Sequence, residues 1–262
     1  GIDLKKKSAA ALGKWFEEKR LARPPGVYHC TLDAFALTPL AARAAIAADA
    51  GPLLVFLHGT GSSCEGSFGG LWDAANREGA ALRRRLTARY GERVFALEHR
   101  SLTESPISNA LALAKRLPKG AELHLVSHSR GGMVGELMCL GECRGLDAVV
   151  GRLDELFAAD RTLAEQIGLG ALDDAAEAAR HAAYQADRAN LAALLAELKA
   201  KQFRVSRFVR VACPARGTTL ASGRLDRWLS VLDFVSGKAL FGDAVDFLLA
   251  VVKERTDPRT LP

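Results

Sequence analysis

The sequence predicts an α/β protein in which a mostly parallel sheet is flanked by helices. Short strand-like and helix-like patterns alternate along the first half of the chain, as in parallel sheets with helical crossovers. Residues 52–57 (Pro-Leu-Leu-Val-Phe-Leu) are apolar without alternation, which is typical of a strand buried on both faces. Residues 122–126 form another strand-like segment, which passes through a turn of serine and glycine directly into a helical pattern.

Proline, glycine and apolar periodicity give the elements before residue 140. The first helix should end at the Arg-Pro-Pro-Gly stretch 23–26, because proline and glycine continue a helix poorly. Pro106 can open a later helix, and residues 118–120 (Pro-Lys-Gly) should close it. In chain order we expect a helix at 3–22, strands at 27–32, 35–38 and 52–57, a helix at 71–90, a strand at 93–98, a helix at 106–117, a strand at 122–126 and a helix to about residue 140.

Residues 146–201 interrupt this alternation with an almost entirely helical pattern. A strand at 203–212 and two helices at 225–254 are expected after it. We therefore divide the chain into an N-terminal helix or linker at 1–26 and an α/β domain at 27–262, with a helical insertion at about 146–201. Apolar residues recur at helical spacing in the insertion and are expected to face the core: Leu153, Leu156, Phe157, Leu191, Leu194, Leu195 and Leu198.

The net charge of +6 does not indicate a nucleic-acid partner. The basic runs at 5–7 and 83–85 are short, and elsewhere Lys and Arg alternate with Asp and Glu. No basic stretch is interleaved with aromatic residues, and no zinc-finger spacing is present. We interpret the charge as solvated surface.

The five cysteines are odd in number and have no repeating spacing, which argues against a disulfide framework. No apolar run reaches the roughly 20 residues of a membrane span, and we expect a cytoplasmic protein. Glycines 59 and 61 complete neither Gly-x-Gly-x-x-Gly nor a phosphate-binding loop, so no cofactor is predicted. No metal is predicted either. Because the chain begins with glycine rather than Met, further domains of a larger protein, processing and an expression scar all stay open.

The pattern Ser127-x-Ser129-x-Gly131 predicts a nucleophile at Ser129. In a nucleophile elbow the serine occupies a sharp strand-to-helix turn, and small residues on either side prevent collisions across it. The helix that follows offers backbone N–H groups and a favourable dipole to a developing oxyanion. The alternative is a tight turn with an incidental serine.

Acyl transfer also requires two N–H donors that face the oxyanion. One is expected from the amide of Arg130, and the other from Thr60 in the glycine-rich loop after residue 57. An ordinary glycine-rich turn is the alternative for this loop. The residues expected to support the two positions are His58, Gly59, Gly61, His128 and Gly131.

These motifs resemble those of the lipase and esterase branch of the α/β-hydrolases. Residues 57–62 (Leu-His-Gly-Thr-Gly-Ser) are similar to the His-Gly oxyanion loop of that family. Residues 127–132 (Ser-His-Ser-Arg-Gly-Gly) are similar to its Gly-His-Ser-x-Gly-Gly elbow, with serine replacing the first glycine. Residues 212–218 are similar to a Gly-Thr-Pro-His-x-Gly-Ser segment, with Cys213 and Ala215 replacing threonine and histidine.

The resemblance spans roughly residues 50–220 and implies an α/β-hydrolase fold acting on a small-molecule or lipid-like ester. It also implies that the insertion at 146–201 is a cap or lid over the serine. A packing insertion that only shields the sheet is the alternative.

A serine nucleophile needs a histidine base and an acid, which follow it in this fold in the order Ser, Asp or Glu, His. Of the six histidines only His181 follows Ser129, and it lies in the insertion. His181 and His99 are both outside candidates for the base. The acids Asp226, Asp233, Asp243 and Asp246 follow no recognisable strand and cannot be assigned. We expect the catalytic Asp and His to lie beyond Pro262.

The sequence therefore leaves two hypotheses for the function. The first is a serine hydrolase that cleaves an ester, thioester or amide through Ser129. The second is a catalytically inactive hydrolase-fold module that binds a ligand or a protein partner, which the missing histidine favours.

Overall fold

A computed structural model of the protein describes residues 17–18, 21, 23–40, 46, 51–73, 75–142, 149–151, 154–155 and 174–213. All of them belong to one compact unit, Glu17–Ala215. The predicted helix at 3–22 is described as helical only at Glu17 and Glu18. The predicted helices at 225–254 lie outside the described residues.

Six strands form one mixed sheet, and they are β1 (Gly26–Thr31), β2 (Ala36–Pro39), β3 (Leu53–Leu57), β4 (Val94–Glu98), β5 (Glu122–His128) and β6 (Arg204–Val211). Their order is β2-β1-β4-β3-β5-β6. Strands β4, β3, β5 and β6 pair in parallel, whereas β1 pairs antiparallel with both β2 and β4. The predicted α/β class with a mostly parallel sheet is confirmed.

The described helices are α1 (Cys64–Phe68), α2 (Arg77–Tyr90), α3 (Pro106–Arg116), α4 (Gly131–Met138) and α5 (Asp174–Lys201). Polar side chains fix where three of them begin. Ser63 accepts a hydrogen bond from the N–H of Gly66, and Asn76 accepts one from Gly79. Ser105 does the same for α3, which has Pro106 in its first turn.

The sheet separates two apolar cores. Alternate residues of a strand point to opposite faces, so Leu53, Val55 and Leu57 pack towards α3, α4 and α5. Leu54 and Phe56 pack towards α1, α2 and the β1–β2 hairpin. All five side chains are at most 2% exposed, which explains why this run is apolar throughout.

The leucines of α5 are buried in the first of these cores. Leu191, Leu194, Leu195 and Leu198 are at most 8% exposed, and α5 packs against α3. The prediction that apolar residues of the insertion face the core is confirmed for these four leucines, whereas Leu153, Leu156 and Phe157 lie outside the described residues.

Two predicted boundaries were wrong. The helix predicted at 71–90 is divided, because a 3-10 turn ends at Trp72 and the side chain of Asn76 starts α2 anew. The strand predicted at 122–126 continues to His128, because β5 pairs with β6 as far as Val211. The longer strand places the serine turn directly after His128.

Candidate active site

Ser129 lies in the turn between β5 and α4, and its backbone has a φ of 50°. This left-handed conformation costs a residue with a side chain roughly 1–2 kcal/mol. Two hydrogen bonds hold it: the Ser129 N–H donates to the Val211 carbonyl at 2.9 Å, and the Gly132 N–H donates to the Ser129 carbonyl at 3.0 Å. A strained serine between a strand and a helix is the geometry of a nucleophile elbow. The role of Ser129 in catalysis stays a prediction.

Two glycines allow the loop after β3 to approach this turn closely. A Cβ on Gly131 would lie 2.3 Å from the carbonyl oxygen of Leu57 and 2.6 Å from that of His58. A Cβ on Gly59 would lie 3.0 Å from the Cβ of Ser129. The first turn of α4 therefore rests directly on the end of β3, and the loop touches the serine.

Only some of the backbone N–H groups of this loop have a hydrogen-bond acceptor among the described residues. The Gly59 N–H donates to Ser67 Oγ at 3.3 Å, and the Gly61 N–H donates to Ser101 Oγ at 2.8 Å. No described residue accepts a hydrogen bond from the N–H of Thr60 or of Arg130. Both amides follow parallel strands that end at the same sheet edge. The role of these two amides as oxyanion donors stays a prediction.

His58 is fully buried behind the loop. Its Nδ1 donates to the Gly59 carbonyl at 2.9 Å, and its Nε2 accepts from the His99 N–H at 3.1 Å. Burial lowers the pKa of the His58 imidazole to about 4, so the ring is neutral near pH 7. Because both ring nitrogens are engaged, His58 supports the loop and does not serve as a base for Ser129.

His99 stacks on His58, with ring centroids 3.9 Å apart and planes at 19°. Burial, together with the neighbouring His58, lowers the pKa of His99 well below its usual range. Strand β3 separates β4 from β5, so the backbone of His99 lies two strand spacings, about 10 Å, from β5. His99 therefore does not meet Ser129 as a hydrogen-bonding base.

All six histidines are among the described residues, and none hydrogen-bonds to Ser129 Oγ. His124 packs on α2 through a 2.6 Å contact between its Nδ1 and Tyr90 Oη. His181 lies on the exposed side of α5, beside Gln185. The remaining two contact the Glu92 carbonyl (His29) and Ser67 Oγ (His128).

The side chain of Arg130 ties the serine turn to the segment after β4. Its guanidinium donates to the Glu104 carbonyl at 2.6 Å. Burial lowers the pKa of Arg130 to about 10, against the opposing effect of Glu17, Asp187 and Glu104. The group stays cationic near pH 7 and is surrounded by carboxylates. Its backbone N–H, rather than its side chain, is the candidate oxyanion donor.

Sequence reasoning missed the contacts of Glu98 and Cys213. Glu98 ends β4 at 1% exposure, and one of its oxygens accepts the Cys64 N–H at 3.1 Å. The Sγ of Cys213 lies 3.3 Å from Ser127 Oγ and beside Gly132, beneath the serine turn. An acid at the end of an apolar strand was a usable signal for Glu98. Cys213 reaches the turn only through the pairing of β5 with β6.

Of the lipase-like segment at 212–218, only residues 212 and 213 are described.

Within the part of the chain that the structure describes, no group of three or more His, Cys, Asp or Glu side chains could hold a metal ion. No described helix is both long enough and apolar enough to cross a membrane.

The sheet, its flanking helices and the strained serine turn define an α/β protein with a candidate site at the carboxyl edge of its parallel strands. A family model described as a domain of unknown function (DUF7379) matches residues 23–156, half of the chain. The chain belongs to this family. No curated protein and no solved structure matches the chain.

Proposed function

We propose that the protein is a serine hydrolase of lipase or esterase type with an α/β-hydrolase fold. It would cleave an ester, thioester or amide through an acyl-enzyme on Ser129. The observation that carries this proposal is the positive φ of Ser129 between a parallel strand and a helix. Such strain persists only where the surroundings enforce it, and it is concentrated at functional sites.

In the proposed reaction, Ser129 Oγ forms a bond to the carbonyl carbon and gives its proton to a base. The N–H groups of Thr60 and Arg130 would hold the oxyanion of the tetrahedral intermediate. Collapse breaks the bond to the alkoxide, thiolate or amine, which takes the proton from the base. Water then attacks the acyl-enzyme by the same steps and releases a carboxylic acid and free Ser129.

The general base is proposed to be an imidazole from outside these 262 residues. Support comes from the six histidines, none of which is hydrogen-bonded to Ser129 Oγ. The candidate acids Asp226, Asp233, Asp243 and Asp246 lie outside the described residues. The triad is thus proposed to be completed by another part of the natural protein.

A small-molecule or lipid-like ester is proposed as the substrate, with the helical insertion as its cover. Since α5 packs against α3 through its leucines, a movable lid would have to come from another part of the insertion. A cytoplasmic location is proposed because Cys30, Cys64 and Cys213 are thiols rather than disulfides.

One observation favours a second candidate, a hydrolase-fold module without catalytic activity. The hydroxyl of Ser129 has no hydrogen-bond partner among the described residues. A serine without a base is a weak nucleophile. Such a module would use the helical insertion as the surface that binds a ligand or a protein.

Ester turnover by the natural full-length protein separates the two candidates. We expect p-nitrophenyl esters to be hydrolysed, with kcat/KM lowered roughly 10³-fold or more in Ser129→Ala. The matched control is Ser206→Ala, because Ser206 is exposed on β6 and bonds to Glu122 instead. Absence of turnover in the wild type, or turnover that survives Ser129→Ala, would contradict the hydrolase and favour the binding module.

A further inference from the structure

Glu98 contacts both ends of the loop that carries Thr60. This loop, residues 58–63, joins β3 to α1. At its far end, the Cys64 N–H donates to Glu98 Oε1 at 3.1 Å. At its start, His58 Nε2 lies 3.5 Å from Glu98 Oε2. Both side chains are at most 1% exposed, so one buried carboxyl spans the loop from behind.

The hydrogen bonds around His58 determine whether His58 or Glu98 carries the proton between these two side chains. The His99 N–H donates to His58 Nε2, so this nitrogen presents a lone pair. An ionised Glu98 would direct a second lone pair at Nε2, whereas a protonated Oε2 can share the Nε2 lone pair with the His99 N–H as a second, weaker donor. Glu98 Oε2 forms no hydrogen bond with any described residue, and His58 Nε2 at 3.5 Å is the polar atom that it approaches.

Burial also favours a proton on Glu98 rather than on His58. It raises the pKa of the Glu98 carboxyl to about 7 and lowers the pKa of His58 to about 4. The proton is therefore expected on Glu98 rather than on His58 up to about neutral pH, although the two side chains approach as an ion pair would.

The charges near Glu98 do not compensate an ionised carboxylate well. Arg23 lowers the pKa of Glu98, but its guanidinium also pairs with Glu65 at 3.4 Å near the surface. Glu65 itself raises that pKa. The other titratable groups that face Glu98 are neutral near pH 7: Tyr28, His58 and Cys64.

We infer that Glu98 is a positioning residue, whose protonated carboxyl clamps the loop from His58 to Cys64 and holds the Thr60 N–H at the oxyanion position beside Ser129. The inference rests on the proposed function, in which Thr60 is an oxyanion donor. Ionisation of Glu98 would remove the O–H donor and place a buried negative charge beside the His58 lone pair. The loop would loosen, and the Thr60 N–H would stabilise the transition state less.

The kinetic test compares wild type, Glu98→Gln and Glu98→Leu in the full-length protein between pH 6 and pH 8. Glutamine keeps an acceptor for Cys64 and a donor for His58 but does not titrate, whereas leucine lacks both. We expect Glu98→Gln to match the wild type within about threefold at pH 6. Its kcat relative to wild type should then rise about tenfold by pH 8, because about nine-tenths of a carboxyl is ionised one pH unit above its pKa.

Titration of the catalytic base cancels in this ratio, because both proteins share that base. Glu98→Leu should lower kcat at every pH with little change in KM. A ratio of Glu98→Gln to wild type that does not change with pH would overturn the inference.

A ¹⁵N NMR titration of the His58 imidazole separates this inference from the proposed function, because it needs no turnover. We expect Nδ1 to be protonated and Nε2 unprotonated from pH 5 to pH 8. The Nε2 shift should change with a midpoint near pH 7 in the wild type, and this midpoint should be absent in Glu98→Gln. A protonated Nε2 at pH 6, or the same midpoint in Glu98→Gln, would overturn the clamp. Absence of ester turnover in the wild type would overturn the hydrolase instead.

Discussion

Ser129 combines a strained backbone with a hydroxyl that its described neighbours leave unbonded. The strain of roughly 1–2 kcal/mol is a sizeable share of the 5–15 kcal/mol that stabilises a typical domain. It is maintained by the backbone hydrogen bond to Val211 and by the contact of Gly131 with the end of β3. At the residue scale, the proposed nucleophile is one of four described non-glycine residues with a positive φ, the others being Phe35, Gln202 and Ala212.

Replacing Ser129 by glycine should relieve this strain. Glycine adopts positive φ without a Cβ penalty, although it gains more freedom in the unfolded chain. We expect Ser129→Gly to be about 1 kcal/mol more stable than Ser129→Ala in urea unfolding. Neither variant should hydrolyse esters.

The same pair of substitutions at Ser108 is the matched control, because Ser108 has ordinary helical geometry in α3. There the order should reverse, with alanine up to about 1 kcal/mol more stable than glycine. Equal stabilities of Ser129→Gly and Ser129→Ala, or a more stable alanine variant, would contradict the strain.

At the scale of elements, Ser105 links the start of α3 to α5. Its Oγ accepts the Ser108 N–H at 3.1 Å and also donates to the carboxylate of Asp187 on α5. One hydroxyl therefore caps one helix and fixes its position against another. The cap lies at the sheet edge where Arg130 contacts the Glu104 carbonyl.

We expect Ser105→Ala to lower the free energy of unfolding by about 1–2 kcal/mol, because both a cap and a partner of Asp187 are lost. In a double-mutant cycle with Asp187→Ala, the two changes should couple by at least about 0.5 kcal/mol. Asn76→Ala removes the cap of α2, for which the described side chains show no hydrogen bond to α5, and should be additive with Asp187→Ala. Additive effects of Ser105 and Asp187 would show that the cap does not fix the two helices together.

The sequence predicted those strands and helices whose signals lie within a few neighbouring residues. The run at 52–57 and the passage from β5 through Ser129 into α4 are set by burial on both faces and by small residues around a sharp turn. The division before α2 was missed because one capping side chain, Asn76, outweighed a continuous helical pattern. The position of Glu98 at the end of an apolar strand is visible in the sequence, but its contact with His58 is not, because that contact depends on the register that pairs Leu57 with Leu97.

At the scale of the whole molecule, the parallel strands place the residues of the candidate site at one edge of the sheet. The loops after β3 and β5 contribute Thr60 and Ser129, the segment after β4 carries His99, which stacks on His58 behind them, and ligands of open α/β sheets bind outside the carboxyl ends of their strands. The family match at 23–156 contains all three of these loops. None of the six histidines hydrogen-bonds to Ser129 Oγ, so the general base stays a proposal.

Mass spectrometry of the full-length protein after reaction with a fluorophosphonate tests the role of Ser129 most directly. The reagent phosphonylates an activated serine hydroxyl with loss of fluoride, so we predict one adduct, on the peptide that contains Ser129. The adduct should disappear in Ser129→Ala and persist in Ser206→Ala. An unmodified Ser129 in the folded protein, or an adduct that is unchanged in Ser129→Ala, would contradict a nucleophilic serine at this turn.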